Sequence, residues 1–134
     1  MTQYLTIVEI DKFHHLALER FGGQAGTRNY AGLKLACEAP VQVANEKNGD
    51  LFDQAAAYTF SIIRYHPYYD GNRRTGLIAA LVFLGLNGYG NHRYYGPLLQ
   101  EAVSYLADQK LTQAEFAHFL RHAYDGTRGS WENA

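Results

Sequence analysis

Nine consecutive residues near the middle of the chain combine the side chains that phosphate-transfer chemistry uses. They read His66-Pro67-Tyr68-Tyr69-Asp70-Gly71-Asn72-Arg73-Arg74. His66 could take a proton from an attacking hydroxyl at neutral pH. Asp70 could ligate Mg²⁺, because that cation prefers carboxylate and phosphate oxygens. Asn72 could donate a hydrogen bond to a phosphate oxygen and so hold charge that develops during transfer.

The same segment is predicted to contain the start of a helix, which favours anion binding. A helix N-terminus carries unpaired N–H groups and partial positive charge, and Gly71 lets the backbone approach a ligand closely. Arg73 and Arg74 oppose the helix dipole in the first turn, at a cost of up to ~1 kcal/mol each. A bound polyanion would reverse the sign of that effect. Arginines at a position that is unfavourable for the helix itself are therefore typical of a functional site.

Other interpretations of this segment are weaker. A lone histidine–proline corner or an aspartate before a helix is usually structural, but the combination within nine residues favours catalysis. The segment is not a Walker A loop, although Gly71 and Gly76 have the spacing of its glycines. Leu77-Ile78 stand where that loop needs Lys-Ser/Thr, and a helix rather than a strand is predicted to precede it.

Periodicity and capping signals predict six helices around this loop. A capping box at Thr6 and Glu9 opens the first helix, which runs to about Arg20. Further helices are expected at about 29–39, 51–64, 72–87 and 97–108. A second box at Thr112 and Glu115 opens the last helix, which ends near Asp125-Gly126. We therefore predict an all-α fold, an orthogonal bundle with the motif loop between two central helices.

The remaining segments are predicted to be connections. Pro40 is expected to end the second helix, because proline lacks the N–H that a helix interior needs. Val41 to Ala44 alternates like a short edge strand, and Asn48-Gly49 marks a turn after it. Asp50 is a plausible N-cap of the third helix. The stretch from Tyr89 to Gly96 is expected to be a loop or short hairpin.

Composition limits the class of protein. The 134 residues suit a single domain, 1–134, and 47% hydrophobic with 19% charged residues is ordinary globular composition. The net charge of −1 argues against a specific nucleic-acid binder. Cys37 is the single cysteine, so a disulfide within the chain is excluded. Neither a signal peptide nor a membrane span is predicted, and we expect a soluble cytoplasmic protein.

The nine-residue motif resembles the signature of the Fic family, His-x-Phe-x-[Asp/Glu]-[Gly/Ala]-Asn-[Gly/Lys]-Arg. The chain is similar to the Doc ("death on curing") branch of that family over most of its length. The similarity includes Phe21-Gly22-Gly23 after the first helix, then Phe83-Leu84 and Asn87-Gly88-Tyr89. Tyr68 stands where the family has a phenylalanine that packs the loop into the core. The resemblance implies a helical Fic fold with the motif between two central helices.

The resemblance also implies a role for each motif residue. His66 would be the general base and Asp70 the Mg²⁺ ligand. Gly71 and Asn72 would form part of the anion-binding turn, and Arg74 would pair with the phosphates of the nucleotide. Arg73, the other cation of this helix start, is a further candidate for binding the nucleotide. ATP would be a substrate and Mg²⁺ the cofactor.

Position 73 separates the subclasses of the family. Members that transfer AMP have glycine there and a second arginine at the position of Leu77. Doc toxins have lysine there and transfer the terminal phosphate to elongation factor Tu. Arg73 therefore favours a toxin that phosphorylates a protein hydroxyl. AMP transfer and a non-catalytic module that binds a nucleotide or partner remain alternatives. A ribonuclease toxin is weakened by the pI of about 6.6.

Regulation and docking are further expectations. Family members that inhibit themselves carry a [Ser/Thr]-x-x-x-Glu-[Gly/Asn] helix, and none of the seven glutamates has serine or threonine four residues earlier. The resemblance then implies an antitoxin that acts in trans. Val41 to Asn48 corresponds in position to the flap with which the family docks its target by strand addition. A plain surface turn explains that segment equally well.

Two further sets of residues are interpreted as structural. His118 and His122 are spaced so that they could face one metal, but no third ligand is obvious in the sequence, which favours a solvated helix face. Cys37 is interpreted as a small core residue.

Overall fold

The computed structural model describes residues 1–89 and 96–124. These residues form α1 (Ile7–Phe21), α2 (Tyr30–Lys47), α3 (Leu51–Tyr65), α4 (Asn72–Leu86), α5 (Gly96–Ala107) and α6 (Gln113–Tyr124). Neither described range contains a strand, which confirms the predicted all-α fold. The predicted loop at Tyr89 to Gly96 lies mostly outside the described residues, as does the predicted helix end at Asp125-Gly126. None of the six helices has the length and apolar character needed to cross a membrane.

The predicted helix starts are confirmed in detail. At α1, the Thr6 side chain accepts a hydrogen bond from the Glu9 N–H, and the Glu9 carboxylate accepts one from the Thr6 N–H. Thr112 and Glu115 make the same reciprocal pair before α6. Asp50 caps α3 and accepts from the Asp53 N–H. Each pair satisfies two N–H groups that the helix itself leaves without a partner.

The second helix departs from the prediction. α2 continues through Pro40 to Lys47, so the expected helix end at residue 39 and the strand at Val41 to Ala44 are both wrong. A proline inside a helix costs about 3 kcal/mol, because its N–H is missing and its ring crowds the previous turn. Here Pro40 is buried, and α2 packs along α3. That packing offsets the local cost, since most helix stability in proteins comes from tertiary contacts.

The predicted target-docking flap at Val41 to Asn48 is consequently wrong as well. Residues 41–47 are helical, so their main-chain groups are bonded within α2 and cannot pair with an added strand. The predicted turn at Asn48-Gly49 is confirmed. Asn48 adopts a left-handed conformation with φ of 53° and ends the helix, a role that asparagine tolerates well.

α3 and α4 are the central helices that hold the motif loop. α3 packs against α2, α4, α5 and α6, while α4 packs against α1, α3 and α5. The two central helices approach closely at Gly76, where a Cβ atom would lie 3.2 Å from the main-chain oxygen of Thr59. The Thr59 hydroxyl donates a 2.8 Å hydrogen bond to the Gly76 carbonyl. This contact fixes the spacing between the two helices that flank the loop.

Candidate active site

His66 ends α3 and is exposed to solvent. Its backbone is left-handed, with φ of 49°, and its N–H donates to the Ile62 carbonyl. A left-handed residue other than glycine costs about 1–2 kcal/mol relative to ordinary helix geometry. The conformation lets the chain leave α3 sharply, and the imidazole lines a cavity beside the start of α4. A solvent-accessible imidazole is what a general base requires.

The loop after His66 is closed by Asn72. The Asn72 carbonyl oxygen accepts from the Tyr68 N–H at 3.0 Å, and its amide nitrogen donates to the Tyr68 carbonyl at 2.8 Å. Both groups are buried, and Asn72 is 5% exposed. The side chain therefore satisfies two main-chain groups that would otherwise lack partners. The structure thus gives Asn72 a contact within the loop; its predicted contact with a phosphate stays a prediction.

Tyr68 anchors the loop to α1 through its ring and its hydroxyl. The side chain is 1% exposed, and the ring stacks on His14 with 3.7 Å between centroids. Its hydroxyl donates a 2.5 Å hydrogen bond to the Asp11 carboxylate. Burial, and then this bond, raise the pKa of Tyr68 above its usual value, so the hydroxyl keeps its proton. His14 also bonds the Asp70 carbonyl through Nε2, at 2.8 Å.

The connection between α1 and α2 also holds the motif loop, through main-chain hydrogen bonds. Main-chain N–H groups of Arg28 and Asn29 donate to the Pro67 carbonyl, at 2.6 and 3.0 Å. The Tyr69 N–H donates to the Gly26 carbonyl, and Thr27 forms an isolated antiparallel bridge with Tyr68. Such main-chain bonds limit the conformations of the loop on both sides of its buried tyrosine.

The Asp70 carboxylate is held in a position where it could bind a cation together with the phosphates of a substrate. Its Oδ2 accepts a 2.7 Å hydrogen bond from the Gln24 N–H, and the side chain is exposed. Three or more acidic, histidine or cysteine side chains never converge on one point within residues 1–89 and 96–124. Mg²⁺ does not need such a cage, because it commonly binds through one or two carboxylates, water and substrate phosphates. The residues present therefore fit Mg²⁺ that arrives with a nucleotide.

The start of α4 differs from the capped starts of α1, α2 and α3. Gly71 occupies the N-cap position with φ of 80°, a conformation that glycine adopts without strain, and no side chain caps the helix. The N–H groups of the first turn thus lack the side-chain acceptor found at the starts of α1, α2, α3 and α6. Arg73 and Arg74 are exposed and line the same cavity. This end of α4 concentrates positive charge and N–H donors.

The cavity has a volume of about 580 Å³ and lies between the motif loop, α4 and α5. The motif supplies His66 and residues 69–74, and Leu77 continues the α4 wall. The opposite wall comes from α5, where Gln100, Val103, Ser104 and Ala107 line it. These four residues were not among the site residues predicted from the sequence. Their spacing places them on one helix face, but nothing local indicates which helix that face meets.

In comparisons with known proteins, residues 4–84 match the sequence model of the Fic/DOC family. The matched range includes the whole motif. The chain belongs to the Fic/DOC family. The Protein kinase doc of Escherichia phage P1 is 31% identical over 124 residues, covering 91% of this chain and 96% of that protein. The Toxin Doc of Mycolicibacterium smegmatis is 36% identical over 90 residues, covering 66% of this chain and 67% of that protein. These similarities place this Fic/DOC protein in the Doc branch.

The other candidate residues lie away from the Fic/DOC motif. The imidazoles of His118 and His122 approach to 2.8 Å between their Nε2 atoms. No third potential metal ligand joins them within the part of the chain that the structure describes. Burial, followed by the charges of Asp11 and Glu38, raises the pKa of the Cys37 thiol to about 11. That thiol is therefore protonated at neutral pH, and its side chain packs against the core.

Removing the hydrogen bond between Asp11 and Tyr68 is expected to lower the stability of the protein measurably. We expect Tyr68→Phe to lower the free energy of unfolding by about 1 kcal/mol, because a hydrogen bond to a partly exposed charge is lost. Urea denaturation measures the change. Tyr69→Phe is the matched control, since Tyr69 is exposed. An equal loss for Tyr68→Phe when Asp11 is already alanine would contradict the assignment of the bond.

Proposed function

We propose that this protein is a toxin that transfers the γ-phosphoryl group of ATP to a hydroxyl of a protein target. The observation that carries the proposal is that His66, Asp70 and the uncapped start of α4 line one open cavity. The cavity therefore combines a candidate base, a candidate cation ligand and an anion-binding helix end. The names of the relatives, Protein kinase doc and Toxin Doc, support the same activity.

In the proposed reaction His66 is the general base. Its imidazole accepts the proton of the target hydroxyl, and the hydroxyl oxygen forms a bond to the γ-phosphorus. The bond from that phosphorus to the bridging oxygen of the β-phosphate breaks, and ADP leaves. Positioning and charge stabilisation account for most of the rate enhancement in such transfers. His66 suits this role because it is exposed and held by the end of α3.

The start of α4 is proposed to bind the phosphates. The N–H groups that follow Gly71 and the guanidinium of Arg74 supply donors and positive charge. Asp70 would hold Mg²⁺, which neutralises charge on the phosphate oxygens when bound. Asn72 is proposed to act first by closing the loop that presents these groups. A further contact between its amide nitrogen and phosphate is compatible with that role.

The choice of the γ-phosphate rests on position 73. A long cationic side chain there occupies the cavity rim beside Arg74, where a glycine would leave space. This obstructs the nucleotide position that would present the α-phosphate to His66. Arginine also binds phosphates with two parallel N–H groups, which lysine cannot do.

The proposed biological setting follows the Doc relatives. The target is a cytoplasmic protein of the translation-factor class, such as elongation factor Tu. The glutamate signature of a self-inhibiting helix is missing from this sequence, and we propose that an antitoxin supplied in trans blocks the cavity instead.

Labelled nucleotides test this function directly. We expect transfer of label from γ-labelled ATP to elongation factor Tu or to a protein of a cell extract, and no transfer from α-labelled ATP. Denaturing electrophoresis with autoradiography measures the label. Transfer from α-labelled ATP would establish AMP transfer instead. Binding of ATP without either label transfer would establish a non-catalytic module.

A further inference from the structure

The two neighbouring arginines at the start of α4 contact different helices. The guanidinium carbon of Arg74 lies 3.9 Å from the centroid of the Phe21 ring, at the end of α1. The Nη2 atom of Arg73 lies 3.7 Å from Oδ1 of Asp108, the residue that follows α5. Both arginines line the cavity. The helix start thus has one cation on an aromatic ring and one on a carboxylate.

These partners have different electrostatic consequences. The face of an aromatic ring attracts a cation without neutralising it, and it leaves the N–H groups at the edge of the guanidinium available. A carboxylate opposite the guanidinium partly balances its charge, here through an ion pair of 3.7 Å that is too long for a hydrogen bond. The full charge of Arg74 is therefore available to a polyanion, whereas part of the charge of Arg73 is balanced by Asp108.

The position of Asp108 is electrostatically unfavourable for the helix that it follows. Its main-chain N–H donates to the Ser104 carbonyl, 2.9 Å away, so its carboxylate sits at the C-terminal end of α5. A negative charge there opposes the helix dipole, whose C-terminal end is also negative. Helix stability thus gives no reason for an acid at this position. Its ion pair with Arg73 does.

We propose that Asp108 is a positioning residue that competes with the nucleotide phosphates for Arg73. This inference rests on the proposed function, because it concerns the same polyphosphate. Without nucleotide, Asp108 holds Arg73 against α5, and ATP must displace the carboxylate to gain the second guanidinium. The Arg73 and Asp108 side chains are 56% and 53% exposed, so water screens their pair and the exchange is easy. Asp108 then lowers nucleotide affinity and decides how far Arg73 enters the cavity.

The test is a gain of affinity, which a merely structural residue would not give. Asp108→Asn is expected to bind ATP with Mg²⁺ up to about fivefold more tightly than the wild type, the size of one exposed ion pair. Isothermal titration calorimetry measures the dissociation constants at one fixed ionic strength. Inorganic tripolyphosphate is expected to give the same gain, and adenosine none, because the competition concerns phosphate alone.

Two further variants separate this mechanism from a change in net charge. Glu101→Gln removes an exposed negative charge two turns earlier on α5 and is expected to leave the affinity unchanged. In an Arg73→Ala background, Asp108→Asn is expected to have no effect, because the group for which it competes is gone. Melting temperatures check that all variants fold.

The outcomes distinguish this inference from the proposed function. Failure of the wild type to bind either ATP or tripolyphosphate would overturn both. Binding by the wild type that Asp108→Asn leaves unchanged or weakens would overturn the inference alone. An equal gain for Glu101→Gln, or a gain that persists without Arg73, would do the same.

Discussion

Replacing His66 by asparagine is expected to lower the rate of phosphoryl transfer by about 10²- to 10⁴-fold, the usual contribution of a general base. Asparagine suits this test because it tolerates the left-handed backbone that His66 adopts at the end of α3. The exchange therefore removes the base while the course of the loop is retained. Label transfer at saturating ATP measures the rate, and calorimetry is expected to show that ATP still binds.

The control for this variant is His15→Asn. His15 is also an exposed histidine, but it lies on α1 and does not line the cavity. It is expected to keep the wild-type rate. A His66→Asn protein that is folded, binds ATP and transfers label within a few-fold of the wild type would remove the proposed base from the mechanism.

Replacing Asn72 by alanine is expected to lower the free energy of unfolding by about 2–4 kcal/mol and to abolish transfer. The amide of Asn72 bonds both main-chain groups of Tyr68 inside the protein. Leaving a buried donor or acceptor without a partner costs about 1–3 kcal/mol for each group. Chemical denaturation measures the stability, and the loss of transfer follows because the loop no longer has one conformation.

Two comparisons show whether hydrogen bonding causes this loss. Asn72→Asp keeps the shape of the side chain but sets an acceptor against the Tyr68 carbonyl, so we expect it to destabilise the protein as well. Asn45→Ala changes an exposed asparagine of α2 and is expected to stay within ±0.5 kcal/mol. An Asn72→Ala protein as stable as Asn45→Ala would mean that the loop does not depend on this amide.

The helix starts could be predicted from sequence because their causes are local. Thr6 and Glu9, or Thr112 and Glu115, are three residues apart and complete each other without help from the rest of the fold. The course of α2 could not be predicted in the same way. Pro40 locally favours the end of a helix, but packing against α3 stabilises α2 beyond it. That packing cannot be read from the local sequence.

The same distinction applies to the candidate site. The motif is contiguous, so its chemistry and its place before a helix could be predicted, and the family match covers it. The partners that hold it are distant: Asp11 lies 57 residues before Tyr68, and His14 lies 56 residues before Asp70. The need of Tyr68 for a hydrogen-bond partner follows from its residue type. Which residue supplies the partner depends on how α1 packs, and sequence spacing does not reveal that.

The α5 wall of the cavity also bears on when the complete site can form during synthesis. A ribosome that has released only the first four helices has exposed every residue of the motif, but Gln100 and Ser104 have not yet emerged. A chain of that length lacks the residues of the α5 wall. We therefore expect the complete cavity to form only after α5 has been synthesised, and a shortened chain that ends after α4 would keep the full motif while lacking one wall of the cavity.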